Sequence, residues 1–99
     1  MIRHIVTWKL ASQEPAEKAT AFDTLVEGFG ALPAIIPEIK TLHLGRDLDE
    51  TAGNWDVTLI IDFASTADLD AYQVHPAHEK VKTVVRGLTG ERASIDFEL

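Results

Sequence analysis

The chain has 99 residues, one domain at most, so any site must lie inside a small core or between copies of the chain. Asp and Glu number 16 against 9 Lys and Arg, a net charge of −7, which argues against nucleic acid and anionic membrane surfaces as partners. The absence of cysteine removes disulfides and thiolate chemistry, and no apolar run is long enough to span a bilayer or to serve as a secretory signal, so a cytoplasmic location is expected.

Ile2 to Leu10 alternates, with Ile2, His4, Val6, Trp8 and Leu10 on one face, which predicts a strand. Ser12-Gln13-Glu14-Pro15 carries helix-start chemistry. The helix it opens runs to about Leu32, with Phe22, Leu25, Val26, Phe29 and Leu32 as its apolar stripe; Pro33 and Pro37 close it. Ile39 to Leu48 reads as a second strand, with Leu42 and Leu44 opposite Thr41 and His43. A polar turn containing Gly53 leads to Trp55–Phe63, whose alternate residues Trp55, Val57, Leu59, Ile61 and Phe63 form an unbroken apolar face. Ser65-Thr66-Ala67-Asp68 resembles a capping box and predicts a short helix with Leu69 and Tyr72 facing inward. Pro76 restarts the helix, which carries Val81, Val84, Val85 and Leu88 and ends near Gly87 and Gly90. Ala93, Ile95 and Phe97 alternate with Ser94 and Asp96 in a last strand.

The order β-α-β-β-α-β predicts an α+β chain of the ferredoxin-like type, a four-stranded antiparallel sheet with its helices on one face. The helix side is expected to hold Ile2, Val6, Trp8, Leu42, Leu44, Val57, Leu59, Ile61, Ala93, Ile95 and Phe97. The other side would hold Arg3, Ile5, Thr7, Lys9, Thr41, His43, Asp56, Thr58, Ile60, Asp62, Ser94 and Asp96. That second face is semi-polar. It reads either as solvated surface or as an interface where two sheets pack face to face.

Four histidines are poised near neutral pH. His4 sits on the apolar face of the first strand, His78 on the inner stripe of the last helix, and Tyr72 on the inner stripe of the short helix. All three are expected in one layer between sheet and helices. A neutral His there could take a proton from carbon next to a carbonyl, and a Tyr hydroxyl could hydrogen-bond the enolate. Trp8, Phe22, Leu25, Val26, Phe29, Leu59 and Leu88 are the expected apolar lining. On the residues alone the stronger reading is that these three are core polar groups satisfied by backbone or by one another, since small polar clusters are common in cores. His43 points to the other sheet face, and His75, before Pro76, suits a helix cap better than a metal site. No metal-ligand spacing, Gly-rich nucleotide motif or serine nucleophile elbow stands out, and no cofactor is expected.

Ile2-Arg3-His4-Ile5-Val6, Leu44-Gly45-Arg46-Asp47 and Tyr72-Gln73-Val74-His75-Pro76-Ala77-His78 resemble the stress-responsive A/B barrel (Dabb) family, and the resemblance spans essentially residues 1–99 as one such domain. The resemblance implies a dimeric α/β barrel, that is, a homodimer joined through the sheet face. Some plant members carry a cation near the subunit interface, held largely by backbone oxygens. In the family's plant polyketide cyclases of the olivetolic acid cyclase type, the Tyr and the last His of the shared segment are the catalytic pair, and the His of the opening strand lies in the same cavity. By position these are Tyr72, His78 and His4. A further pocket His of that branch is replaced here by Val57, so the same substrate does not follow.

The leading expectation is a homodimeric barrel with a small apolar pocket that binds or transforms a small carbonyl or polyketide-like compound. In that reading His78 is the base, Tyr72 the hydrogen-bond donor and His4 the orienting group. A non-catalytic, stress-related ligand-binding dimer is the first alternative. A cofactor-independent monooxygenase of the related dimeric barrel type is the second, resting on fold analogy alone.

Overall fold

Strand β1 (Ile2–Leu10) owes its extended form to strict alternation, and the buried members His4, Val6, Trp8 and Leu10 lie two apart. The computed structural model describes residues 1–99. Helix α1 (Pro15–Gly30) begins at Glu14, whose carboxylate accepts from the backbone N–H groups of Ala16 and Glu17. Pro15 then fills a position where its missing N–H costs nothing. A 3₁₀ turn (Leu32–Ala34) around Pro33 follows and tucks Leu32 and Ile36 into the core.

Strands β2 (Ile39–Arg46) and β3 (Val57–Phe63) pair antiparallel across a loop that uses positive φ at Asp49 and at Gly53. Helix α2 (Thr66–Gln73) is capped by Ser65, whose hydroxyl accepts from the Asp68 N–H at 3.2 Å. Such caps contribute about 0.5–2 kcal/mol. Helix α3 (Pro76–Leu88) is capped by His75, whose Nδ1 accepts from the Ala77 N–H at 3.0 Å. Strand β4 (Thr89–Glu98) leaves α3 with no intervening loop.

The four strands run β2-β3-β1-β4, all neighbours antiparallel, which is the ferredoxin-like order expected from the sequence. The core lies between this sheet and the helices. Val6, Trp8, Leu59, Ile61 and Phe63 come from the strands, and Leu25, Phe29, Leu69, Tyr72 and Val85 from the helices. Each such side chain taken fully out of water stabilises by about 1.5–3 kcal/mol. Helices α1 and α3 meet at Gly28 and Val81, where a Cβ on the glycine would stand at an ordinary contact distance of 3.6 Å from the Val81 side chain.

Three expectations are corrected. Strand β3 starts at Val57 rather than Trp55, because the Asp56 carboxylate turns inward to accept from the Leu10 N–H, Gln13 and Lys18. Val84 is 46% exposed, since the inner stripe of α3 runs through Val81, Val85 and Leu88. The faces of β4 are the reverse of those expected. Ile95 stands opposite Ile5, itself opposite Ile60, so Ala93, Ile95 and Phe97 lie on the outer face. Arg92, Ser94 and Asp96 lie on the helix side, across from Trp8, Val6 and His4. The sequence assignment assumed that apolar residues must face the helices, whereas Ile95 is 60% exposed on the bare side of the sheet.

Candidate functional site

Six elements converge on one cavity of about 630 Å³. Strand β1 contributes His4, Val6 and Trp8; α1 contributes Phe29; and β3 contributes Leu59. Tyr72 and Gln73 come from the end of α2, and His78, Lys82, Val85 and Arg86 from α3. Thr89, Gly90 and Arg92 of β4 complete the wall.

The break between α2 and α3 builds the polar end. Pro76 cannot continue a helical hydrogen-bond ladder, so the chain turns after Gln73 and restarts with His75 as cap. The Gln73 carbonyl receives the Nδ1–H of His78 at 3.1 Å. A carbonyl can only accept, so Nδ1 carries the hydrogen and Nε2 of the neutral ring keeps its lone pair. Burial pushes the His78 pKa down, which favours that neutral form, and the nearby Lys82 charge acts in the same direction.

Tyr72 packs against His78 with ring centroids 4.2 Å apart, and its other face meets Phe63 at 5.3 Å. The residue is fully buried, yet its hydroxyl has no hydrogen-bond partner. Burial drives its pKa far above the ordinary phenol value, so the hydroxyl stays protonated and can act only as a neutral donor or acceptor. His4 meets Tyr72 edge-on, with centroids 6.2 Å apart. Its Nδ1 lies 2.5 Å from Oδ1 of Asp96. An ionised carboxylate can only accept, so that nitrogen also carries the hydrogen.

His4, Tyr72, His78, Trp8, Phe29 and Leu59 therefore surround one space. Four residues expected in the lining do not. Leu25 is sealed in the core, Phe22 packs at its margin, and Val26 is 41% exposed on the far side of α1. Leu88 faces a separate groove beside α1. One helical stripe cannot turn all its members to one cavity, because the stripe spans more than 100° of the helix. The sequence reading missed Lys82, Arg86, Arg92 and Asp96. The first two were visible in principle, being four and eight residues beyond His78 and so on the same side of α3. The last two were hidden by the reversed faces of β4.

Residues 2–99 match the family described as Stress responsive A/B Barrel Domain, Dabb. The chain belongs to this family. Among solved structures, this Dabb chain is similar to a dimeric protein of unknown function and ferredoxin-like fold from Bacteroides fragilis NCTC 9343. That likeness has 28% identity and a TM-score of 0.88, and covers 99% of this chain and 95% of the other. A dimeric ferredoxin-like protein of unknown function from Thermobifida fusca YX also has 28% identity, with a TM-score of 0.84 over 99% and 90% of the two chains. A hydroxynitrile lyase from Passiflora edulis shares the fold at 22% identity and TM-score 0.80, covering 97% and 90%. No curated protein matches the sequence. No helix of this Dabb chain is long and apolar enough to cross a membrane.

Proposed function

We propose that this Dabb protein is a homodimer that binds a small carbonyl compound in the His4–Tyr72–His78 cavity and moves a proton at the carbon beside the carbonyl. The observation that carries the reading is the buried Tyr72 hydroxyl, which has no partner of its own and stands beside an imidazole whose Nδ1 is already committed to Gln73. A fully buried polar group left unpaired costs about 1–3 kcal/mol, a cost that a ligand oxygen would relieve.

In the proposed step Nε2 of His78 takes the proton. The C–H electron pair becomes the new C=C bond, and the carbonyl π pair moves to oxygen, where the Tyr72 O–H donates to it. The enolate then returns to carbon by reprotonation, or attacks a second carbonyl of the same molecule. His4, held by Asp96, is placed to orient the bound compound. The scheme uses only groups of the chain. The presence of a hydroxynitrile lyase on the same fold is compatible with an enzymatic role but does not specify this reaction.

The dimer part rests on a row of Ile60, Ile5 and Ile95 across three strands of the bare sheet face, with Phe97 39% exposed beside it. The two dimeric relatives of similar fold support it.

Deuterium incorporation at the methylene beside the ketone of methyl γ-benzoylbutyrate, followed by proton NMR in D₂O, tests the proton transfer. Exchange above the buffer rate that disappears in His78→Gln is the expected result. Binding without exchange above buffer would overturn catalysis in favour of a ligand-binding role.

A further inference from the structure

We infer that the compound taken by this cavity carries a carboxylate, held by Arg86 and Arg92, with its carbonyl at Tyr72 and His78. This deepens the reading proposed above and rests on it.

Charge distribution is the first ground. Of the 14 residues lining the cavity, Lys82, Arg86 and Arg92 are cationic and none is acidic. Yet the chain as a whole carries 16 acidic residues against 9 basic ones. A wall drawn at random from this composition would lean the other way.

Placement is the second ground. Arg92 stands opposite Trp8, four residues along β1 from His4, and Arg86 is eight residues along α3 from His78, so the two arginines are offset from the His4–Tyr72–His78 group along the cavity wall. Along α3, Lys82 and Arg86 lie one and two turns beyond His78, a rise of about 6 and 12 Å. Helical side chains lean toward the N-terminus, so the Arg86 side chain reaches back toward His78. Arg92 enters from the opposite wall, across the strand pair from Trp8. The Arg92 charge is felt at the Tyr72 phenol, where it acts against burial. Val6 lies between His4 and Trp8 on β1, and with Leu59 and Val85 it gives the wall an apolar stretch that suits a hydrocarbon or aryl spacer.

Availability is the third. Neither Arg86 nor Arg92 is paired with a carboxylate. Arg92 donates only to the Ser94 hydroxyl at 3.3 Å, and Lys82 reaches Glu79 at 3.4 Å. Both arginines are exposed and free to receive a ligand, and their guanidinium groups present paired N–H donors that match a carboxylate edge. Arg86 also sits in the last turn of α3, where a cation favours the helix end. That role would affect stability but would not distinguish an acid from its ester.

The test compares γ-benzoylbutyrate with its methyl ester, which differ in the charge and by one methyl group, by NMR titration of the full chain at neutral pH. In the unaltered protein the acid should bind about tenfold more tightly than the ester, and salt should shrink that ratio. In Arg86→Gln/Arg92→Gln the ratio should fall toward one, and Arg86→Lys should retain part of it; thermal melts establish that each variant is folded. Equal binding of acid and ester in the unaltered protein, or a ratio unchanged in the double variant, overturns the carboxylate site and leaves the proton-transfer reading standing. Tighter binding of phenyl phosphate than of the acid assigns the two arginines to phosphate and overturns the carboxylate. Binding of none of these compounds overturns the carboxylate site, while proton exchange with the ester decides the reading beneath it separately.

Discussion

His78 donates its Nδ1 hydrogen to the backbone carbonyl of Gln73 at 3.1 Å, bridging the break between α2 and α3. The carbonyl is free because the Ala77 N–H, which would meet it in a continued helix, donates instead to Nδ1 of His75. The break between the two helices thus exposes an acceptor and fixes the tautomer of the imidazole. Nε2 is the nitrogen left to meet a ligand.

That tautomer gives a pH prediction. Burial lowers the His78 pKa from the ordinary 6.5, so the ring stays neutral at neutral pH and charges only at lower pH. Proton-exchange activity should be flat through neutrality and fall on the acid side with an apparent pKa below 6.5. The same group contributes stability that is present above its unfolded pKa and lost as pH falls through its folded one. His78→Gln should remove the activity and flatten that limb. An acid limb centred above 6.5 would assign the base elsewhere.

Tyr72→Phe separates chemistry from packing. The hydroxyl has no partner, so its removal strands no other group. Melting temperature should hold or rise, because a buried unpaired hydroxyl costs about 1–3 kcal/mol. Proton exchange should drop about a hundredfold if the hydroxyl steadies the enolate. A variant that loses stability and keeps activity would show the hydroxyl to be structural.

Much of this arrangement was legible in the residues. Alternation in β1 and β3 placed His4, Trp8 and Leu59 on the helix side because a strand has only two faces and these two have one apolar face each. Helical spacing placed Tyr72 and His78 inward, and the proline before His78 located the break. The last strand defeated the same logic. Its apolar set Ala93, Ile95 and Phe97 faces away from the helices, since the outer face carries its own apolar row beside Ile5 and Ile60. Periodicity reports that two faces differ without saying which is inside, and reversing β4 concealed Arg92 and Asp96 from the site. Val26 and Leu25 fall to a related limit, because an apolar stripe wide enough to pack also reaches past the cavity.

Leu25 turns that limit into a measurement. The residue is 1% exposed and lies in the core rather than on the cavity wall. Leu25→Ala should cost about 2–5 kcal/mol of stability in a denaturant titration. Affinity for γ-benzoylbutyrate should be unchanged at temperatures where the variant is folded. Loss of affinity with little loss of stability would return Leu25 to the lining.

Asp62 governs a second acid response on the outer face. Arg3 donates Nε and Nη2 to its two carboxylate oxygens at 2.9 and 3.0 Å, and Thr41 donates its hydroxyl at 2.9 Å. Arg3 above all holds the carboxyl below its ordinary pKa of 3.8, against burial. The stability this supplies is present above the unfolded pKa and is lost as pH falls through the lower, folded value. Asp62→Asn should therefore lower stability at neutral pH and make its decline below pH 4 shallower (about one carboxylate's share of the proton uptake). Parallel acid unfolding curves for the two proteins would contradict the pairing.

The outer face offers the last prediction. Ile60, Ile5 and Ile95 stand side by side on β3, β1 and β4, with Ile95 60% and Phe97 39% exposed. A face of this kind on a four-stranded sheet, with no helix over it, is stabilised when a second sheet covers it. Sedimentation at micromolar concentration should give the mass of two chains. Ile95→Asp places a carboxylate in the row, where pairing would bury it without a counter-charge, and should shift the protein to one chain while circular dichroism stays unchanged. Arg3 lies on the same face but is already committed to Asp62, so it cannot neutralise the new charge without giving up that pair. A single-chain mass for the unaltered protein, or a dimer indifferent to Ile95→Asp, would move the interface away from this row.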